Sequence, residues 1–184
     1  MHSNMLPPQG GTLHGLLRRK GAEMQRDTFF QESPFGVVRD ARQADTPCIL
    51  GLVSKLAEHH GDTMRLTADA LMQDAFAEPP WVHILVAEID QKVVGYAALC
   101  PLIQLHFGVR GLDMHHLLTD ADHRGRGVGK GLVEACKMKA KMLSCGYLAV
   151  GTHPDNRAAQ EFYEAIGFLR RDSHPQRFSL RLSS

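Results

Sequence analysis

The sequence predicts an α/β (α+β) domain, and three observations carry that prediction. Apolar residues recur at helical spacing in four segments separated by turn residues. Seven short runs have strand character, two of them joined by a tight Asp90-Gln91 connection that reads as an antiparallel hairpin. A glycine-rich turn, residues 123–131 (H-R-G-R-G-V-G-K-G), joins a strand directly to a helix. The expected order is β-α-α-β-β-β-α-β-α-β-β.

Residues 1–35 read as an N-terminal extension, partly disordered or docked by a few apolar residues. They are rich in Gly, Pro, Gln and Ser, and include a basic run at Arg18-Arg19-Lys20 that reads as solvated charge; Met24 is a candidate translation start. The domain is expected over residues 36–184. Residues 37–41 form a first strand. Asp45 or Thr46, with Pro47 in the first turn, starts a helix whose stripe is Leu50, Val53, Leu56 and Ala57 and which stops at Gly61. Thr67 caps a second helix over residues 68–76, ended by Pro79-Pro80. Residues 82–89 and 92–99 are the hairpin strands, with Pro101 ending or bending the second. Residues 102–109 have no clear period, Arg110-Gly111 reads as a turn, and residues 112–119 form the strand that feeds the glycine turn.

The next helix carries Val128, Leu132, Cys136, Ala140 and Leu143 on one stripe, with Lys137, Lys139 and Lys141 largely off it, and ends near Gly146. Residues 147–150 are a strand. Asn156 caps a last helix with the stripe Ala159, Phe162, Tyr163 and Ile166, stopped by Gly167. Residues 168–171 and 177–182 complete the strands.

Composition narrows the function. A net charge of +1 argues against a general nucleic-acid binder. There is no apolar run long enough to span a membrane and no secretory leader pattern. Four cysteines without CxxC spacing read as reduced, mostly buried thiols of a cytoplasmic protein, and no residue pair has zinc-ligand spacing.

The glycine turn suits a phosphate. A helix start offers unpaired N–H groups, glycines at 125, 127 and 129 admit close backbone approach, and Arg124 and Arg126 add charge. A Walker loop fails at Arg124 and Gly131; a dinucleotide fingerprint fails at Lys130 and Leu132. The pattern [Q/R]-x-x-G-x-[G/A], read at Arg124, Gly127 and Gly129, instead resembles the acetyl-CoA pyrophosphate loop of the GNAT acyltransferase superfamily. A second stretch, N-R-A-A-Q-E-F-Y-E-A-I-G-F at residues 156–168, resembles the other signature of that superfamily. The resemblance implies a central mixed, mostly antiparallel sheet of about seven strands flanked by four helices. Its fourth and fifth strands, the one ending at Thr119 and the one starting at Tyr147, would run parallel and splay apart to admit the pantetheine arm.

A looser similarity points to the diamine (spermidine/spermine) acetyltransferase branch: Leu66-Thr67-x3-Leu71-x2-Asp74-x-Phe76, then Pro79 and Leu85-Val86-Ala87-Glu88. That branch carries a Glu-Asp pair where this chain has His115-His116. Losing two carboxylates speaks against a polycationic substrate.

The resemblance implies direct acetyl transfer from acetyl-CoA to an amine, with no metal. Tyr163 matches the general acid that protonates the leaving thiolate. Asn156 matches a cofactor contact, Leu117, Leu118 and Thr119 would meet the pantetheine arm or thioester, and the amides of Gly125, Arg126, Gly127, Val128, Gly129 and Lys130 would hold the pyrophosphate beside Arg124. His115 is a candidate base, because imidazole collects a proton near neutrality. In an extended strand Asp113, His115 and Leu117 share one face, opposite Met114 and His116, so Asp113 is a candidate for holding the substrate ammonium. His60, at the end of the first helix, is a second candidate for the acceptor pocket, and His153 falls near the cofactor.

The favoured reading is an N-acetyltransferase acting on the primary amine of a small molecule. A non-catalytic acyl-CoA-binding regulatory module and a protein or peptide amine acetyltransferase remain open. The last of these predicts an open groove between the first helical connection and the final hairpin. The resemblance allows a homodimer, which no sequence feature fixes.

Overall fold

The computed structural model describes residues 29–171. A six-stranded sheet runs in chain order: β1 (Phe30–Ser33), β2 (Gly36–Asp40), β3 (His83–Ile89), β4 (Lys92–Gln104), β5 (Val109–Thr119) and β6 (Tyr147–Ala149). All neighbours are antiparallel except β5 and β6, which are parallel. Four helices accompany it: α1 (Thr46–His60), α2 (Ala68–Phe76), α3 (Val128–Met142) and α4 (Arg157–Ala165). No helix among the described residues is long and apolar enough to cross a membrane.

Two apolar clusters cover the two faces of the sheet. One face packs Val38, Leu85, Leu99, Leu112 and Met114 against Leu132, Val133 and Cys136 of α3. The other packs Val86, Tyr96 and Leu118 against Ile49, Leu52 and Leu56 of α1 and Leu71 of α2. The expected local signals operate. The Asp90-Gln91 connection has both residues at positive φ (47° and 63°), the twist that a two-residue hairpin needs. Thr67 accepts from Ala70 N at 3.2 Å and Asn156 from Ala159 N at 3.1 Å, each capping a helix.

Several expectations are corrected. The sheet begins before the expected domain boundary at residue 36, because β1 pairs with β2 from Phe30↔Arg39 to Ser33↔Gly36 and Phe29 is buried. Pro101 does not end β4, which pairs onward through Gln104↔Val109. β3 stops opposite Leu99, so Pro101 lies where β4 has become an edge and proline is tolerated. Arg110-Gly111 is strand rather than turn; the ring of Tyr147 lies where a Cβ on Gly111 would be, which explains the glycine. The turn comes earlier, at the 3-10 helix Leu105–Phe107 and Gly108. Residues 168–171 are not strand, and the strand expected at 177–182 lies outside the described residues, so six strands rather than seven are described. Only Cys136 of the four free cysteines is fully buried, and Cys48 is exposed.

Two ion-pair systems went unforeseen. Lys139, expected off the buried stripe, is buried, and its Nζ donates to both carboxylate oxygens of Asp40 at 2.8 and 2.9 Å. The same carboxylate accepts from Phe29 N at 2.7 Å, which ties α3, β2 and the start of β1 together. Arg39 is buried and forks to Asp45 at 2.7 and 3.0 Å and to Glu88 at 2.9 and 2.6 Å. Asp45 therefore holds Arg39 and the Arg42 amide and makes no side-chain cap on α1.

Burial alone would raise the Asp45 carboxyl, but Arg39 and the Arg42 amide hold it below the usual carboxylate range. A depressed folded value means that stability from this pair is present above about pH 4 and is lost as the pH falls through the folded value. Arg39→Ala strands two carboxylates and is expected to cost about 3–5 kcal/mol in urea unfolding at neutral pH, with a smaller loss in acid.

Candidate active site

β5 and β6 pair at only three positions, Gly111↔Tyr147, Leu112↔Leu148 and Asp113↔Ala149. Beyond Asp113 the two strands part. β5 continues to Thr119, bonded to β4 on one side, with no strand on the other among the described residues. The free edge therefore presents backbone groups of Leu117, Leu118 and Thr119 to a cleft of about 1120 Å³. Such an edge can accept an extended amide-bearing ligand as an added strand.

At the end of β5 the chain turns through a short 3-10 helix (Ala121–His123) into the glycine turn. Gly125 and Gly127 have φ of 72° and 84°, the left-handed region that a side chain resists, and a Cβ on either would meet nothing within 4 Å. Gly127 is the N-cap of α3 and supplies no side chain to satisfy its first amides. The first bond of α3 runs from Gly131 N, which donates to Gly127 O at 2.9 Å. The amides of residues 128–130 open the first turn of α3 and have no acceptor within the helix. This open row of donors at the positive end of α3 fits a diphosphate. Arg124 donates through Nε to Thr119 O at 3.2 Å, which holds its exposed guanidinium beside that row. Gly129 places the helix start close to both walls: a Cβ there would lie 3.6 Å from Thr119 Oγ1 and 3.7 Å from Phe162 Cζ.

The cleft brings together His60, His115, Leu117, Leu118, Thr119, Arg124, Gly129, Asn156 and Tyr163 of the residues expected at the site. Gly125, Arg126, Gly127, Val128 and Lys130 belong to the adjoining turn and helix start, not to the cleft wall. Asp113 is not brought in. It sits where β5 is still paired with β6, and the expectation that His116 lies on the face opposite Asp113 fails for a physical reason. Ala98 pairs with His116 but Leu99 with Met114, so His115 is an extra residue in β5. That bulge reverses the alternation. Leu112 and Met114 face α3, whereas Leu118 faces α1 and α2. His115 and His116 end up stacked, with ring centroids 4.6 Å apart and planes 17° apart, and both line the cleft.

Tyr163 packs edge-on against Phe162 and Phe168 at 5.3 and 5.6 Å. Its hydroxyl has no hydrogen-bond partner among the described residues and is not among the buried unpartnered atoms, so it is open to the cleft. Burial, with a contribution from Cys136, pushes its phenol up to about 12, so it holds its proton at neutral pH. Asn156 caps α4 through Oδ1 and leaves its amide nitrogen for the cleft. Sequence reasoning missed one partner: Tyr96, fully buried on β4, lies with its hydroxyl 2.9 Å from Nδ1 of His116. A larger hollow of about 1440 Å³, lined by Trp81, His83 and Lys139, contains none of the residues expected at the site.

Residues 49–168 match the acetyltransferase (GNAT) family. The chain belongs to that family. Among its relatives is the thialysine N-epsilon-acetyltransferase of Bos taurus, 29% identical over 143 residues, which are 72% of this chain and 84% of the relative. Another is the human spermidine/spermine N(1)-acetyltransferase-like protein 1, 26% identical over 141 residues, 72% of this chain but 20% of that one. An aminoglycoside acetyltransferase from an uncultured soil metagenomic sample, solved with sisomicin, shares the fold at a TM-score of 0.67. The identity is 15%, covering 78% of this chain and 95% of that one. This GNAT protein is therefore an N-acetyltransferase enzyme, and its mixed sheet with parted β5 and β6 is the architecture that the family resemblance implied.

The Tyr163 phenol gives a direct test of the site's geometry. Its raised folded value contributes stability that is present below about pH 10 and lost as the pH rises through the folded value. Following phenolate absorbance in the near ultraviolet, Tyr163→Phe should remove one step near pH 12.

Proposed function

We propose that the chain is an acetyl-CoA-dependent N-acetyltransferase that moves an acetyl group to the primary amine of a small molecule by direct attack. The single observation that carries this reading is a convergence. Open amides at the start of α3, the free edge of β5 and the unpartnered hydroxyl of Tyr163 all adjoin one cleft. Acetyl-CoA, when bound, supplies the activated thioester.

The residues divide the work. Amides of residues 125–130, with Arg124, hold the diphosphate, and the edge at Leu117, Leu118 and Thr119 orients the arm and the thioester carbonyl. His115 takes a proton from the amine as its nitrogen bonds to the carbonyl carbon. Tyr163 gives its proton to the sulfur as the carbon–sulfur bond breaks. His60 belongs to the wall that receives the acceptor. The relatives named for thialysine and spermidine/spermine support a small amine as acceptor. Imidazoles at His115 and His116 favour an acceptor with one cationic centre over a polycation. The reading places the enzyme in the cytoplasm, in keeping with four free cysteines.

Thioester consumption with a panel of lysine-like amines, polyamines and peptide N-termini tests the reading. Preference for single small amines supports it. Preference for peptides moves the acceptor to proteins, and coenzyme A binding without turnover of any amine leaves a regulatory module. Tyr163→Phe is expected to lower kcat by about 10²-fold while coenzyme A affinity, measured by calorimetry, stays within about twofold. Gly127→Val, which forces a β-branched residue to a φ of 84°, is expected to weaken coenzyme A binding by about tenfold or more.

A further inference from the structure

We propose that Tyr96 is a positioning residue that locks the tautomer of His116: its buried hydroxyl donates to Nδ1, the ring keeps its proton on Nε2 toward the cleft, and the stacked His115 is left as the imidazole of the pair that takes a proton. The inference rests on the reading of this cleft as the transfer site.

The lock follows from counting protons and acceptors. Tyr96 is 1% exposed, and its hydroxyl, 2.9 Å from Nδ1 of His116, has no other partner among the described residues. A phenolic proton so enclosed must point at an acceptor, and Nδ1 is the acceptor in reach. A proton on Nδ1 would leave the hydroxyl proton buried and unpaired. Nδ1 is therefore bare, and a neutral imidazole then carries its proton on Nε2. That nitrogen makes no hydrogen bond with the described residues and is not among the buried unpartnered atoms. His116 lines the cleft and Tyr96 does not, so the ring stands between the buried hydroxyl and the acceptor space.

The surroundings keep His116 neutral. The groups around it are Tyr96 from β4, His115 beside it on β5, and His59 and His60 from α1. Asp62 after α1 and Tyr163 on α4 line the same cleft, as do Arg124, His153 and Asp155 further along its wall. Burial, then His115 and His60, push His116 down to about 4. Two stacked imidazoles at 4.6 Å do not both carry charge readily, so a neutral His116 favours protonation of its neighbour. The bulge matters here, because without it His116 would face away from His115.

The test is isotope-labelled histidine NMR on the full chain, from about pH 3 to about pH 8. The His116 signal is assigned by its loss in His116→Gln. The wild type should show His116 as one neutral tautomer with the proton on Nε2. Tyr96→Phe keeps the ring and removes only the donor. Both tautomers should then appear, and the His116 midpoint should rise because the neutral form has lost its support. The acid limb of kcat/KM should move to higher pH as well, since the pair then takes a proton more readily. A wild-type His116 protonated on Nδ1 would overturn the proposal. So would a Tyr96→Phe variant whose tautomer and acid limb stay unchanged, or one altered only in melting temperature. A wild-type chain that acetylates no amine overturns the functional reading instead, and the rings still report the lock.

Discussion

β5 has a neighbour on each side only as far as Asp113, and most of what the protein does depends on that loss of pairing. A strand that stayed zipped to β6 would have no free edge, and α3 would begin over a closed sheet. Parting the two strands instead leaves main-chain groups of Leu117, Leu118 and Thr119 available just where the glycine turn aims the amides of α3. The separation is sustained from both ends. Tyr147 closes over Gly111 where the strands still touch, and Phe162 and Tyr163 of α4 pack against the apolar cluster on the α3 side further along.

A sheet opened in its middle needs firm support elsewhere. The other half supplies it through charge. Arg39 joins β2, β3 and the start of α1, while Lys139 and Asp40 join α3 to β2 and to the backbone at Phe29. Both systems are buried and bonded on several sides, the condition under which buried charge is tolerated. Lys55 of α1 adds an exposed pair with Asp120, in the connection that follows β5.

Features written in consecutive residues were legible. The glycine turn, the caps Thr67 and Asn156, the Asp90-Gln91 hairpin and the stripes of α3 and α4 each depend on a few neighbouring side chains, and each stands where expected. What needed a partner strand was not legible. Phe30-Gln31-Glu32-Ser33 has no apolar alternation to announce β1, which exists because β2 lies beside it. The passage of β4 through Pro101 depends on where β3 happens to stop. The placement of His115 and His116 turned on a register shift between β4 and β5, and no count along β5 alone reveals one extra residue. Lys139 reads as surface charge until Asp40, far away in the chain, is placed beneath it.

The single inserted residue at His115 divides β5 into two stretches with opposite orientation. Leu112 and Met114 answer to the α3 side, whereas Leu118, an even number of residues further on, answers to the α1 side. Loss of that one codon would therefore act unlike any exchange of one amino acid for another. It would close the ladder, with Leu99 still opposite Met114 and Ala98 still opposite His116, so that Leu118 and His116 keep their faces and only the imidazole stacked on His116 is lost.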